Sequence, residues 1–208
     1  GRAIKPPVRN AAIATLDASS VADVNGFIKL VREDDFVGVV CKTPSAVDAA
    51  IAQIKVEWAL QQPINQDEVD RLIDVDAEMA QGDLEQLLQD KAHRKTADWA
   101  IDLRFDVQTQ THAMQEPRAA IARLNESQQL EIWTGTQDPW AIKRLAALDT
   151  GMSEDAVVVY PMRMGGGFGG REHYDVELDA VRLALAVQRP VKVQWTRQDE
   201  FTTSRSRP

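Results

Sequence analysis

The sequence predicts a mixed α/β fold, α+β in part, and three observations carry that reading. Apolar strand-like runs alternate with segments of helical periodicity in two blocks. Thr or Asp followed by Pro marks helix starts, and a glycine run separates a strand from a helix near the end of the chain.

In the first block, Phe36 to Cys41 is a short apolar run of buried-strand character. Thr43 as N-cap with Pro44 at the first helical position opens a helix whose apolar positions are Val47, Ala50, Ile51 and Ile54. Val56-Glu57-Trp58 begins another strand, and Gln61 to Asn65 is a linker. The stretch from Asp67 to Asp90 holds nine acids and one base, with Val69, Leu72 and Ile73, then Leu84, Leu87 and Leu88 at helical spacing. That pattern predicts a pair of solvated amphipathic helices.

The second block opens on Trp99, Ile101, Leu103, Phe105 and Val107 alternating with polar or small residues, a strand with one buried face. Strands are expected over Ala119 to Leu124 and Leu130 to Thr134. Asp138 caps a helix with Pro139 first inside, closing near Gly151. Ala156 to Met164 is the next strand, Arg171 to Gln188 a helix, and Val191 to Trp195 a last strand. The expected cores are Phe36, Val37, Val39, Val47, Ile51 and Ile54 in one block, and Trp99, Ile101, Leu103, Phe105, Leu145, Val158, Val181 and Leu183 in the other.

Composition limits the function classes. The 208 residues are 44% hydrophobic and 27% charged, enough for one good core or two small ones. The net charge of −8 resides in the acidic stretch and gives no basic stripe for nucleic acid. No run approaches the roughly 20 apolar residues that span a bilayer, and localisation is left open. Cys41 is the one cysteine, so the chain forms no internal disulfide and ligates no iron–sulfur cluster; a buried structural thiol is expected. His93 and His173 lie among charges as surface residues, and neither a Ser-His-Asp order nor a Walker loop is present.

Gly165-Gly166-Gly167-Phe168-Gly169-Gly170 holds five of the eleven glycines, between a strand and a helix. Glycine permits positive φ and close approach at an entropic cost, so the cluster points to a ligand lying against bare main chain. Gly165, Gly167 and Gly170 satisfy G-x-G-x-x-G, and Asp199 or Glu200 follows the next strand, as a dinucleotide site requires. Against that, more than 160 residues precede the motif and Phe168 sits inside it.

The string Met164 to Glu172 resembles the glycine-rich segment of the molybdenum-binding large subunit in the xanthine dehydrogenase and aldehyde oxidoreductase family. Trp133-Thr134-Gly135-Thr136-Gln137-Asp138-Pro139 resembles that family's segment ending in a Gln, and His112-Ala113-Met114-Gln115-Glu116-Pro117 its His-x-x-x-Glu-Pro stretch. Pro190 to Glu200 resembles the following strand, and Gly82-Asp83 the linker; the overall style is nearest to the isoquinoline 1-oxidoreductase type.

The resemblance implies a partial hammerhead-like domain over residues 1–62, an acidic helical linker over 63–98, and the first part of a molybdopterin-binding domain over 99–208. It implies that Gly165, Gly166, Gly167, Gly169, Gly170 and Phe168 lie against a molybdopterin, expected in the cytosine dinucleotide form, with Phe168 as an aromatic wall of the substrate funnel. Gln137 would donate its amide to the molybdenum oxo group, the alternative being a helix-capping role. Glu172 would orient the substrate, or simply favour a helix N-terminus. His112 and Glu116 would brace the cofactor pocket by hydrogen bonds; one His and one carboxylate are too few to hold a metal directly.

The parent reaction implied is hydroxylation of an aldehyde or N-heterocycle with oxygen from water, electrons passing to a separate iron–sulfur subunit. The molybdenum subunits of that family run several times longer than these 208 residues, so the chain is expected to be a fragment of that enzyme. Its catalytic base would lie beyond Pro208, and the fragment is expected to be inactive alone, to bind no cofactor and to self-associate through unpaired strand edges. The alternative is a non-catalytic α/β module or dinucleotide-binding domain whose glycines only make a tight turn.

Overall fold

The computed structural model describes residues 1–8, 11–59, 65–72 and 110–206, with positions 74, 77, 80, 105 and 107. The chain divides into two compact units, one of Gly1–Leu60 with Gln108–Pro208 and one of Gln61–Val107.

The larger unit contains β1 (Arg2–Ile4), β2 (Ala12–Asp17), β3 (Phe27–Glu33), β4 (Phe36–Cys41), α1 (Pro44–Ala52) and β5 (Lys55–Ala59). β4 is the apolar run expected as a buried strand, and it takes the centre of an antiparallel sheet of order β1-β4-β3. α1 starts where the sequence predicts: the Thr43 hydroxyl accepts from the Ala46 N–H at 3.2 Å and Pro44 is the first helical residue. β2 pairs with β5, Ala12 opposite Ala59 and Asp17 opposite Lys55, a distant match that local patterning gives no means of foreseeing.

The smaller unit has α2 (Gln66–Leu72), opened by Asn65, whose side chain accepts from the Glu68 N–H at 2.9 Å. Val69 is half-buried but Leu72 is exposed, so the expected apolar stripe is only partly covered. Phe105 and Val107 are exposed and outside any strand, contrary to the buried face expected for them. Trp99, Ile101, Leu103, Leu84, Leu87, Leu88, Gly82-Asp83 and His93 lie outside the described residues.

The larger unit continues with β6 (Ala119–Leu124), β7 (Leu130–Thr134), α3 (Pro139–Thr150), β8 (Val157–Pro161), α4 (Val176–Val187), β9 (Val191–Gln194) and α5 (Arg197–Thr203). β6 and β7 occupy the residues the alternation predicts. The sheet order is β8-β7-β6-β9, with β6 antiparallel to both neighbours and β7 parallel to β8 across α3. α3 is capped by Asp138, which accepts from the Ala141 N–H at 2.9 Å, and ends on Gly151 in the left-handed region at φ 68°. Leu145, expected in the core, is exposed; Trp140 and Leu148 are exposed on the same helix.

α4 packs on β6 and β9 and also on β3 and β4, so Val31 and Val40 join Ala120, Leu130, Ile132, Val181, Leu183 and Val193 in one continuous core. The two blocks thus share apolar contacts rather than burying separate sets. A second cluster of Val21, Val39, Val47 and Ala50 lies under α1. Cys41, expected buried, is only half-buried at the end of β4, and burial holds its thiol above the ordinary range.

Candidate cofactor site

The helix that sequence patterning begins at Arg171 begins five residues later, at Val176. The reason is Arg171 itself, whose side chain turns back into the loop instead of along a helix face. Its Nε donates to the Gly166 carbonyl at 2.8 Å and its Nη1 to the Gly135 carbonyl at 3.3 Å. Its Nη2 donates to the Glu116 carbonyl at 2.8 Å and to Glu116 Oε2 at 3.0 Å. The side chain is 2% exposed. A buried guanidinium needs that many acceptors to offset its lost hydration. β8 also ends early, at Pro161, so Met162 to Met164 run exposed into the loop.

Three segments converge on Gly165 to Gly170. From the approach to β6, Glu116 Oε2 accepts from the Gly165 N–H at 2.6 Å, and the Glu116 N–H donates to the Gly165 carbonyl at 3.3 Å. From the exit of β7, Gln137 Oε1 accepts from the Gly169 N–H at 2.9 Å and the Arg171 N–H at 3.3 Å. The imidazole of His112 lies against Gly169 and Gly170, where an added Cβ would meet it at 3.3 and 3.0 Å. A Cβ at Gly165 would strike Glu116 at 2.6 Å, and one at Gly167 would strike the Gln137 carboxamide. The absent side chains are therefore demanded by protein on this side of the loop. At Gly167 the clash expected with a ligand is with Gln137.

Within the loop, the Gly170 N–H donates to the Gly167 carbonyl at 2.8 Å, and the two residues between have φ of 54° (Phe168) and 94° (Gly169). Two positive φ values are the signature of a type I′ turn. A left-handed phenylalanine is strained, and Phe168 is 65% exposed, so little burial offsets the strain. Glu172 is exposed beside the loop, and burial lowers the pKa of half-buried His173. Burial also keeps the Tyr174 phenol far above its ordinary value, hence un-ionised.

The site fits a ligand rich in acceptors. The two groups facing the Gln137 oxygen are both N–H donors, which fixes the carboxamide with its NH₂ turned away from them. Among the described residues, that NH₂ and the N–H groups of Gly166, Gly167 and Phe168 have no protein acceptor. Glu116, Gln137, His112 and the glycines thus come together, but His112 meets the loop by packing alone: its buried Nδ1 has no partner among the described residues, contrary to the bracing hydrogen bond expected of it. No group of three His, Cys, Asp or Glu poised for a metal occurs among the described residues.

Sequence patterning missed Arg118, Asp175, Glu177 and Asp179. Arg118 is 2% exposed. Its Nη1 donates to the Gly170 carbonyl at 2.9 Å and Asp175 Oδ2 at 3.0 Å, and its Nε to Glu200 Oε2 at 3.2 Å. Glu200, an acid considered for a dinucleotide ribose, is buried on Arg118, and Asp199 is the N3 residue of the capping box that opens α5. β9 does not lie beside β8, so the glycine loop and α4 are not the first turn of a simple βαβ unit. Glu177 accepts from the Thr134 hydroxyl at 2.5 Å, and Asp179 from Lys5 Nζ at 2.6 Å and Trp195 Nε1 at 2.9 Å. Burial raises the pKa of both carboxyls.

Residues 65–208 match the molybdopterin cofactor-binding domain. The chain belongs to that family. It is 30% identical over 221 residues to one of the subunits of nicotinate dehydrogenase from Pseudomonas putida, covering 96% of this chain and 18% of that protein. It is 26% identical over 206 residues to the beta chain of isoquinoline 1-oxidoreductase from Brevundimonas diminuta, covering 94% of this chain and 26% of the relative. The fold is that of quinoline 2-oxidoreductase from Pseudomonas putida 86, with a TM-score of 0.73 at 19% identity over 99% of this chain and 32% of the other. The chain thus spans about a fifth to a third of the length of these proteins and carries a molybdopterin-binding segment. No helix among the described residues is long and apolar enough to cross a membrane.

Proposed function

We propose that this chain supplies one wall of the molybdopterin site in a hydroxylase that oxidises an N-heterocycle or an aldehyde with oxygen from water. The observation that carries this is the Gln137 carboxamide. Its oxygen is held by the Gly169 and Arg171 N–H groups, which leaves its NH₂ as a neutral donor without a protein acceptor among the described residues. Fixed dipoles aimed at an oxo or dithiolene group stabilise charge there without reorganising during turnover. When bound, the molybdenum cofactor supplies the two-electron oxidation chemistry.

The chain's own residues take defined parts. Gly166, Gly167 and Phe168 offer main-chain donors, and the Phe168 ring walls the substrate approach. Glu116 and His112 brace the loop from behind, and Glu172 orients the substrate from the exposed side. Two relatives named for nicotinate and isoquinoline favour the N-heterocycle over the aldehyde. Each is named as one part of a larger enzyme, which supports a multi-subunit assembly with an iron–sulfur partner as electron acceptor, and the cofactor is proposed in its cytosine dinucleotide form. Residues 1–62, 63–98 and 99–208 are proposed as the end of a hammerhead-like domain, a linker and the start of the cofactor domain.

The test uses the full-length protein purified with its partner subunits, in ¹⁸O-labelled water with N-heterocycles and aldehydes. Label in a hydroxylated heterocycle is expected. Oxygen drawn from O₂, or no oxidation by a preparation containing molybdenum, would overturn the reading.

A further inference from the structure

Two carbonyls of the glycine loop, one near its start and one at its end, are each held by a different buried arginine. Arg171 takes Gly166 from one side at 2.8 Å, and Arg118 takes Gly170 from the other at 2.9 Å. Arg118 is anchored twice on α5: its backbone N–H donates to Glu200 Oε1 at 2.6 Å and its Nε to Glu200 Oε2 at 3.2 Å. Asp175, just before α4, takes Nη1, and the guanidinium lies 4.3 Å from the Trp195 ring centroid. Its Nη2 is buried without a protein partner.

A cation at this depth is a poor choice for stability, since a well-packed apolar side chain of similar volume serves a core equally well or better. What an apolar side chain cannot do is hold a carbonyl at a fixed point. With these two carbonyls taken, the N–H groups of Gly166, Gly167 and Phe168 are left in one conformation and without a protein acceptor among the described residues. We propose that Arg118 is a positioning residue: with Glu200 behind it, it fixes the Gly170 end of the loop so that these main-chain donors are presented to the cofactor. This rests on the functional reading above.

Arg118→Lys is the diagnostic variant, because one ammonium can keep the Glu200 pair but cannot also span Gly170 and Asp175. Arg118→Met removes the charge altogether. In the full-length protein with its subunits, hydrogen exchange of the Gly169 and Arg171 amides should become about tenfold faster or more in Arg118→Lys, while amides of β6, β7 and α4 keep their wild-type rates. Pterin loss on dialysis should quicken by a similar factor, and the visible absorption of the bound cofactor should change. Wild-type exchange in the loop of Arg118→Lys would overturn the proposal. So would faster exchange with unchanged pterin retention and absorption, which would leave Arg118 purely structural. Should Arg118→Met fail to fold, Arg118→Lys decides. A wild-type protein lacking pterin would overturn the functional reading and this inference together, an outcome distinct from those two.

Discussion

Gln137 and Gly169 are joined by a 2.9 Å hydrogen bond in which the side chain accepts and the loop backbone donates. The pairing ties two roles to one residue, since the carboxamide oxygen holds the loop while the NH₂ remains for a ligand. Gln137→Glu keeps an oxygen for Gly169 and removes the donor. Turnover of the full-length enzyme is expected to fall by roughly 10 to 1000-fold with loop amide exchange unchanged. Gln137→Ala should lose both, with faster exchange as well. Equal kinetics for wild type and Gln137→Glu would remove the amide from the site.

Gly167→Ala tests the same contact from the other side. The new Cβ lands on the Gln137 carboxamide, so the side chain must leave Gly169. Activity should drop by about tenfold or more, while the melting temperature moves by no more than about 4 °C, because the displaced group is an exposed side chain. A protein that fails to fold would show that the glycine serves the core.

Arg171 and Glu116 form an ion pair of unequal partners: the guanidinium is 2% exposed and the carboxylate 48%. Arg171→Met strands the carbonyls of Gly135, Gly166 and Glu116 and is expected to cost about 3 kcal/mol. Glu116→Gln removes a half-solvated charge, and its effect should stay below about 1 kcal/mol. Comparable losses for both in thermal denaturation would mean that the ion pair, not the carbonyl set, holds the loop.

Glu177 sets a pH dependence. Burial raises its carboxyl above the ordinary value of 4.5. The folded state therefore binds the proton more tightly, and this contribution is fully present below the unfolded pKa and lost as pH rises through the folded one. Glu177→Gln should flatten the fall in stability above about pH 4.5, where one such group can supply up to about 1.4 kcal/mol per pH unit. Asp179 shifts in the same direction, so the difference between wild type and Glu177→Gln is the quantity to measure. A parallel pair of curves would show Glu177 ionised in both states.

Much of this fold is local enough to be legible in the sequence. Caps and prolines place α1 and α3, and alternation places β6 and β7, because those signals lie within a few residues of what they determine. The glycine loop stands out for the same reason, whereas Gln137 is singled out only by the resemblance of its segment to a known family. Pairing is not: β2 meets β5 and β9 meets β6 across long separations, and nothing local records the partner. The role of Arg118 is equally hidden, because its meaning comes from Glu200, Gly170 and Asp175, 52 to 82 positions away. Periodicity starts a helix at Arg171 because sequence shows the residue but not the four acceptors that divert it.

If the free donors of Gln137, Gly166, Gly167 and Phe168 receive a molybdopterin, the full-length protein must carry one. The most direct measurement is the metal and pterin content of that protein purified with its subunits, alongside Gln137→Ala and Gly167→Ala. Molybdenum and pterin in equal amounts, near one per chain in the wild type and reduced in the variants, is the expected result. A protein that carries a nicotinamide dinucleotide, or neither molybdenum nor pterin, would contradict it.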